Sequence, residues 1–112
     1  MRLWTENAPL HRQVRDALVG RVLDGELSEG QSPPSVRQSA SDLALNPHTV
    51  ARAYQELADL GVLERRRGQG MVVASGARER LRTLERDHFL QEEWPRLQDR
   101  LRRLGLNPAH LP

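Results

Sequence analysis

The stretch NPHTVARAYQELADLG, Asn46 to Gly61, reads as one short helix with both ends written into its residues. Asn46 suits the N-cap, where its side-chain oxygen can accept from an orphan backbone N–H. Pro47 suits the first helical position, and Gly61 suits the left-handed residue after the last turn. At about 100° per residue, Val50, Ala53, Tyr54, Leu57 and Leu60 gather on one side and His48, Arg52, Gln55 and Asp59 on the other. One face is therefore core and one is wet. The wet face is neutral to basic at its N-terminal end (His48, Thr49, Arg52) and acidic further on (Glu56, Asp59). Only the N-terminal end suits a phosphate backbone. An ordinary surface helix shares this periodicity, so the neighbouring segments decide between the two readings.

Upstream, Ser35 followed three residues later by Gln38 is a capping-box signature for a helix over about Ser35 to Leu43. Downstream, the strand-like runs Val62-Leu63-Glu64-Arg65 and Met71-Val72-Val73-Ala74 flank Arg66-Arg67-Gly68-Gln69-Gly70, a glycine-bearing turn of the kind that closes a β-hairpin. Helix, tight turn, helix, basic hairpin is the order of a winged helix-turn-helix, whose second helix enters the major groove.

Working outward, Pro9 to Asp24 forms a first helix with Leu10, Val14, Ala17, Leu18 and Val22 on one side. The connector Gly25 to Gly30 is turn-rich and acidic, and Ser32-Pro33-Pro34 holds the chain extended, with room for one short strand beside the wing. The second helix has Val36, Ala40 and Leu43 as its apolar stripe. Arg37 is left at its N-terminal end, either to meet a phosphate or as a solvated first-turn arginine.

Length and composition set bounds. A chain of 112 residues holds one small domain, served by about the first 75 residues, and an appendage. The absence of cysteine excludes disulfides, thiolate metal sites and a cysteine nucleophile. No apolar run approaches a membrane span and no signal-peptide layout opens the chain, so a soluble, cytoplasmic protein without membrane contact is expected. The net charge of +2 is too small to argue for nucleic acid by itself. All 17 basic residues are Arg, which GC-rich codon usage explains, so the argument rests on where the charges sit.

Gly30, Pro34-Ser35-Val36-Arg37, Thr49-Val50, Ala53-Tyr54, Glu56-Leu57, Gly61, Leu63 and Arg67-Gly68-Gln69-Gly70, in this order and spacing, resemble the GntR family of bacterial transcription regulators. The resemblance covers about Pro9 to Val73. Asn46-Pro47-His48-Thr49-Val50 and the short segment after the wing are similar to the YtrA-type branch, which carries no large effector domain and dimerises through tail helices. The resemblance implies that Arg37 touches the DNA backbone, that Thr49 is a recognition-helix residue and that Arg67-Gly68 form a wing tip reaching toward the minor groove. Three positions depart from the family pattern. Pro47 replaces a DNA-contacting arginine, which shifts expected base readout to His48 and Arg52. Pro33 and Ser39 replace core leucines, which implies a less apolar seam under the second helix and a domain of modest stability. In isolation, Arg65, Arg66 and Arg67 ahead of a turn read as a solvated hairpin. After a capped recognition helix, phosphate and minor-groove contact is the favoured reading. The candidate DNA-contacting set is therefore Ser35, Arg37, His48, Thr49, Arg52, Arg65, Arg66, Arg67 and Gly68.

After Gly76 the sequence turns charged and heptad-like. Ala77, Leu81, Leu84 and His88 form one stripe; Leu90, Trp94, Leu97, Leu101 and Leu104 form another, slipped by about one residue beside Pro95. Proline removes one backbone hydrogen bond and crowds the preceding turn, so this segment is either one helix kinked near Gln91 to Pro95 or two helices restarting at Pro95. Asn107-Pro108 opens a further capped turn. The dimerisation residues expected here are Leu81, Leu84, Leu90, Trp94, Leu97, Leu101 and Leu104.

The four histidines show no metal-binding spacing, no Ser, His and Asp grouping is identifiable, and Arg67-Gly68-Gln69-Gly70 lacks the Lys and following helix of a phosphate loop. No enzyme and no cofactor is expected. The expected fold is mainly α with a small β-hairpin: a winged helix-turn-helix over residues 1 to 75, then a helical dimerisation appendage over 76 to 112. The expected function is a homodimeric repressor on an inverted-repeat, double-stranded DNA operator, with an unidentified small-molecule effector kept among its partners. A winged-helix protein-interaction module and a nonspecific nucleic-acid binder are the competing readings.

Overall fold

The computed structural model describes residues 8–107, 109 and 112. Its elements run α1 (Leu10–Leu23), α2 (Val36–Leu43), α3 (Pro47–Asp59), β1 (Leu63–Arg66), β2 (Gly70–Val73), α4 (Ala77–His88), a π-helical turn (Phe89–Glu93) and α5 (Trp94–Arg103). The fold is mostly helical with a two-stranded antiparallel hairpin in which Leu63 faces Val73 and Arg66 faces Gly70. Each strand lies within one residue of its expected position.

The core is built where the apolar stripes of three helices meet the hairpin. Val14, Leu18, Val19 and Val22 of α1, Ala40 of α2, Val50, Ala53, Tyr54 and Leu57 of α3, and Leu63 and Val73 of the hairpin are all buried in one cluster. Three expected core positions fall outside it. Leu10 is exposed at the first position of α1, Ala17 is exposed further along the same helix, and Leu60 is exposed because α3 ends at Asp59 and Leu60 is already its C-cap. Gly61 then takes φ +76, the left-handed turn expected of it. Pro33, where the resemblance implies a leucine, is itself buried.

The turn between α2 and α3 is set by Ala44, the one described non-glycine residue with positive φ (+55). The N–H of Leu45 returns to the Ala40 carbonyl at 2.9 Å, a Schellman-type closure that satisfies the end of α2. The connector adds a ladder to the wing: Gly30 N–H donates to the Val73 carbonyl and Val73 N–H to the Gln31 carbonyl, both at 2.8 Å. This is the short pairing expected beside the wing, two bonds long and without a strand of its own.

Tyr54 ties α3 to the start of α2. Its hydroxyl donates to the Pro34 carbonyl at 2.5 Å and lies 3.4 Å from Ser39 Oγ. Burial pushes its phenol above the ordinary value of 10.0, against smaller opposing effects of the Ser39 hydrogen bond and the Arg21 charge. A raised folded-state value for an acid means that the stabilisation is fully present below pH 10 and is lost as pH rises from there through the folded value. Tyr54→Phe is expected to cost about 0.5 to 1.5 kcal/mol at neutral pH. It should also remove the decline above pH 10 that belongs to this phenol, as read by denaturant titration across pH.

The compact unit runs to Leu81, past the boundary expected at Gly76. Ala77 and Leu81 are buried in the core cluster, Leu81 to 2 % exposure. Leu81, expected at a dimer interface, is thus already used within its own chain. The first turn of α4 is fastened by two guanidiniums: Arg78 Nε donates to the Leu23 carbonyl at 3.0 Å, and Arg80 donates to the Gly61 carbonyl. Both carbonyls lie at helix C-terminal ends, where a cation complements the dipole.

The second unit, from Arg82 onward, is one helical path rather than two helices. At its π-helical turn the N–H of Trp94 reaches the Phe89 carbonyl five residues back. One residue is thereby inserted ahead of Pro95, which accommodates the missing proline N–H and produces the slip between the two stripes. Phe89 and Trp94 rings stand 6.4 Å apart at 35°. Asn107 Oδ1 accepts from Ala109 N–H at 2.9 Å, as expected of a cap. Pro108 lies outside the described residues.

Candidate nucleic-acid interface

The helix pair presents its N-terminal ends through side-chain caps. Ser35 Oγ accepts from Gln38 N–H at 3.0 Å. The Gln38 side chain turns instead to Asp42 Oδ1 at 2.8 Å, so the expected capping box is made in one direction only. Arg37 follows in the first turn of α2, exposed and without an ion pair among the described residues. In α3, Asn46 Oδ1 accepts from His48 N–H at 2.9 Å and Pro47 fills the first position. These caps leave His48 exposed and Thr49 half-buried at the positive end of the helix dipole.

Glu56 departs from the expected wet face. It is half-buried and turned toward α1, where its Oε1 lies 2.9 Å from His11 Nδ1 and its Oε2 accepts from an Arg15 terminal nitrogen at 3.3 Å. The His11 contact is close but not aligned as a hydrogen bond. Arg52 of α3 brings its Nε to 3.8 Å from the same Oε1 while its side chain stays 69 % exposed. Asp59 remains on the wet face, accepting from Gln55 at 2.9 Å. His11, Arg15 and Glu56 are the site residues that periodicity missed, because they meet only when α1 packs on α3. A His and an Arg four apart on α1 were the signal available.

In the wing, Arg67-Gly68-Gln69 connect β1 to β2, with Gly68 at φ +81 and Gln69 N–H donating to the Arg66 carbonyl at 3.0 Å. A glycine suits this φ because a Cβ there clashes with the following carbonyl. Arg66 folds back on Glu64, whose Oε1 accepts from its terminal nitrogen at 2.9 Å and from its Nε at 3.2 Å. Arg65 and Arg67 are exposed and make no ion pair among the described residues.

Four of the expected residues line two shallow cavities, and Arg37, Arg65, Arg66, Arg67 and Gly68 line neither. Leu10, His11, His48, Thr49 and Arg52 line one shallow cavity of about 330 Å³ at the N-terminal end of α3. Ser35 adjoins the wing: Ser32 Oγ lies 3.5 Å from the Gln69 carbonyl, and Pro34, Ser35, Gly70 and Met71 share a second cavity of about 300 Å³. The arginines also divide. Arg37, Arg65 and Arg67 are unpaired among the described residues, whereas Arg66 pairs with Glu64 and Arg52 shares Glu56 with His11 and Arg15.

The segment that builds both cavities, residues 10–73, matches the family described as "Bacterial regulatory proteins, gntR family". The chain belongs to the gntR family. It is 41% identical over 69 residues to the HTH-type transcriptional regulator YhcF of Bacillus subtilis (strain 168), covering 62% of this chain and 57% of YhcF. Over 72 residues it is 33% identical to the HTH-type transcriptional repressor YtrA of the same organism, covering 64% of this chain and 55% of YtrA. The chain thus spans about half the length of the curated relatives it matches. A solved structure of a GntR family transcriptional regulator from Listeria monocytogenes superposes with a TM-score of 0.77 at 25% identity, covering 95% of this chain and 91% of that one. GntR proteins are regulators rather than enzymes. Among the described residues no helix is long and apolar enough to cross a membrane.

Proposed function

We propose that this GntR chain is a sequence-specific DNA-binding regulator that acts in the cytoplasm as a homodimeric repressor on an inverted-repeat operator. The observation that carries the reading is the division of its arginines. Unpaired guanidiniums at the start of α2 and on the wing stand ready to neutralise phosphates, while α3 presents His48, Thr49 and Arg52 at its capped end. The likeness to YtrA, named a transcriptional repressor, supports the sign of regulation. The exposed stripe of the second unit supports the dimer. Leu84, Leu90, Leu97 and Leu104 are exposed and Trp94 and Leu101 half-buried, and Phe89, not foreseen in this set, joins them.

The reading is tested by selecting duplexes from a randomised library and comparing the recovered sequence with its scrambled version over a salt series. A preference for the recovered duplex is expected, with log affinity falling linearly in log salt. Three phosphate contacts per protomer give a slope of about −5 for a dimer. No enriched sequence would leave a nonspecific binder, and no DNA affinity at all would leave a protein-interaction module.

Within that experiment the two kinds of arginine separate. Arg37→Ala is expected to weaken both duplexes alike and to reduce the salt slope by about 2, one phosphate per protomer. Arg52→Ala is expected to cost about 1 to 3 kcal/mol on the recovered duplex and to relax one base preference. Equal losses on both duplexes for Arg52→Ala contradict the readout role.

A further inference from the structure

We infer that Glu56 is a positioning residue for DNA discrimination, holding the Arg52 guanidinium by its Nε so that its two terminal nitrogens are offered to a base edge and not to a phosphate. The inference rests on the DNA-binding reading above. Its geometric basis is that the Glu56 carboxylate is anchored before Arg52 reaches it. Oε2 is held by Arg15 at 3.3 Å and Oε1 faces His11 at 2.9 Å, both from α1, and all three side chains are at least half-buried. The carboxylate is therefore a fixed point on the α1 side, and the 69 % exposed Arg52 side chain lies beside it with Nε 3.8 Å away, within ion-pair distance but beyond hydrogen-bond reach.

That point of attachment matters chemically. A guanidinium reads guanine through two parallel N–H bonds to its O6 and N7. An ion-pair contact on the Nε side leaves the terminal pair for that purpose, and among the described residues Arg52 has no other ion-pair partner. A fixed carboxylate also acts against the wrong DNA. It competes with phosphate oxygens for the Arg52 charge, so the α3 end gains less from a duplex that offers only its backbone. Arg37, Arg65 and Arg67, which carry no carboxylate partner, lack this restraint and suit the sequence-independent contacts. Glu56 thus restrains the arginine at the groove end of α3 while those at α2 and the wing tip stay free.

The test measures affinity for the recovered duplex and for its scrambled version with the full chain, its Glu56→Gln and Glu56→Asp variants, and each Glu56 change in an Arg52→Ala background. Glu56→Asp keeps the negative charge but shortens its reach from α3, and so serves where Gln fails to fold. Both variants are expected to bind the scrambled duplex at least as tightly as the parent, with the recovered-to-scrambled ratio falling about fivefold to tenfold. In the Arg52→Ala background the same changes should move the ratio by less than about twofold, since coupled residues are not additive. A merely structural clamp between α1 and α3 would lower both affinities together and leave the ratio unchanged, and that result overturns the inference, as does a loss of ratio that persists without Arg52. A parent chain that does not discriminate between the two duplexes overturns the DNA-readout proposal itself, a result distinct from a discriminating parent with indifferent Glu56 variants.

Discussion

Replacing Leu97 and Leu101 together by Glu is expected to give a folded monomer that binds the recovered duplex at least about a hundredfold more weakly than the parent. Leu84 is 44 %, Leu90 53 % and Leu104 60 % exposed in a single chain, more apolar surface than one helix keeps in water without a partner. At about 25 cal/mol per Å² of apolar area removed from water, pairing this stripe with a second copy compensates for the freedom lost in ordering it. Two linked winged domains then bind two half-sites, the second contact gaining the effective concentration that the first provides. A monomer loses this advantage without losing a single DNA contact. Sedimentation beside duplex titration checks both halves of the expectation; a double variant that still sediments as a dimer contradicts it. A truncation for the same purpose must begin after Leu81, because cutting at Gly76 would remove Ala77 and Leu81 from the winged core.

That boundary carries the second large effect. Leu81→Ala is expected to destabilise the winged unit by about 2 to 5 kcal/mol, the usual cost of a cavity at a fully buried leucine. Leu84→Ala, one turn further and largely exposed, is expected to cost under about 1 kcal/mol. Denaturant unfolding at one protomer concentration reads both, since dimerisation would otherwise shift apparent stability. Equal costs at the two positions would place Leu81 with Leu84 in the appendage rather than in the core. A loss at Leu81 alone confirms that the first turns of α4 close the domain.

These two leucines show where the sequence was legible and where it was not. Leu81 and Leu84 share one heptad-like stripe, and periodicity cannot tell which of its leucines is buried and which is exposed. Packing decides that, together with Arg78 and Arg80 on carbonyls far away in sequence. Glu56 was misplaced for the same reason. Its position on α3 borders both faces, and only His11 and Arg15, some forty residues earlier, draw it inward. By contrast, both ends of α3, the Ser35 cap and the glycines of the wing were readable because each is a local bargain between a side chain and its own backbone. The π-helical turn lay between: the slip in the stripes beside Pro95 was visible, but its form was not. The left-handed Ala44 left no signal at all, since alanine is not a residue that advertises positive φ.

The central claim, that two copies of this chain read DNA through α3 and the wing, is tested most directly by a hydroxyl-radical and methylation footprint of the full chain on the recovered duplex. The account predicts two protected major-groove segments related by inverted symmetry and centred about one helical turn apart, with backbone protection beside each where the wings reach. Protection over a single segment, or uniform protection that does not depend on sequence, would contradict it.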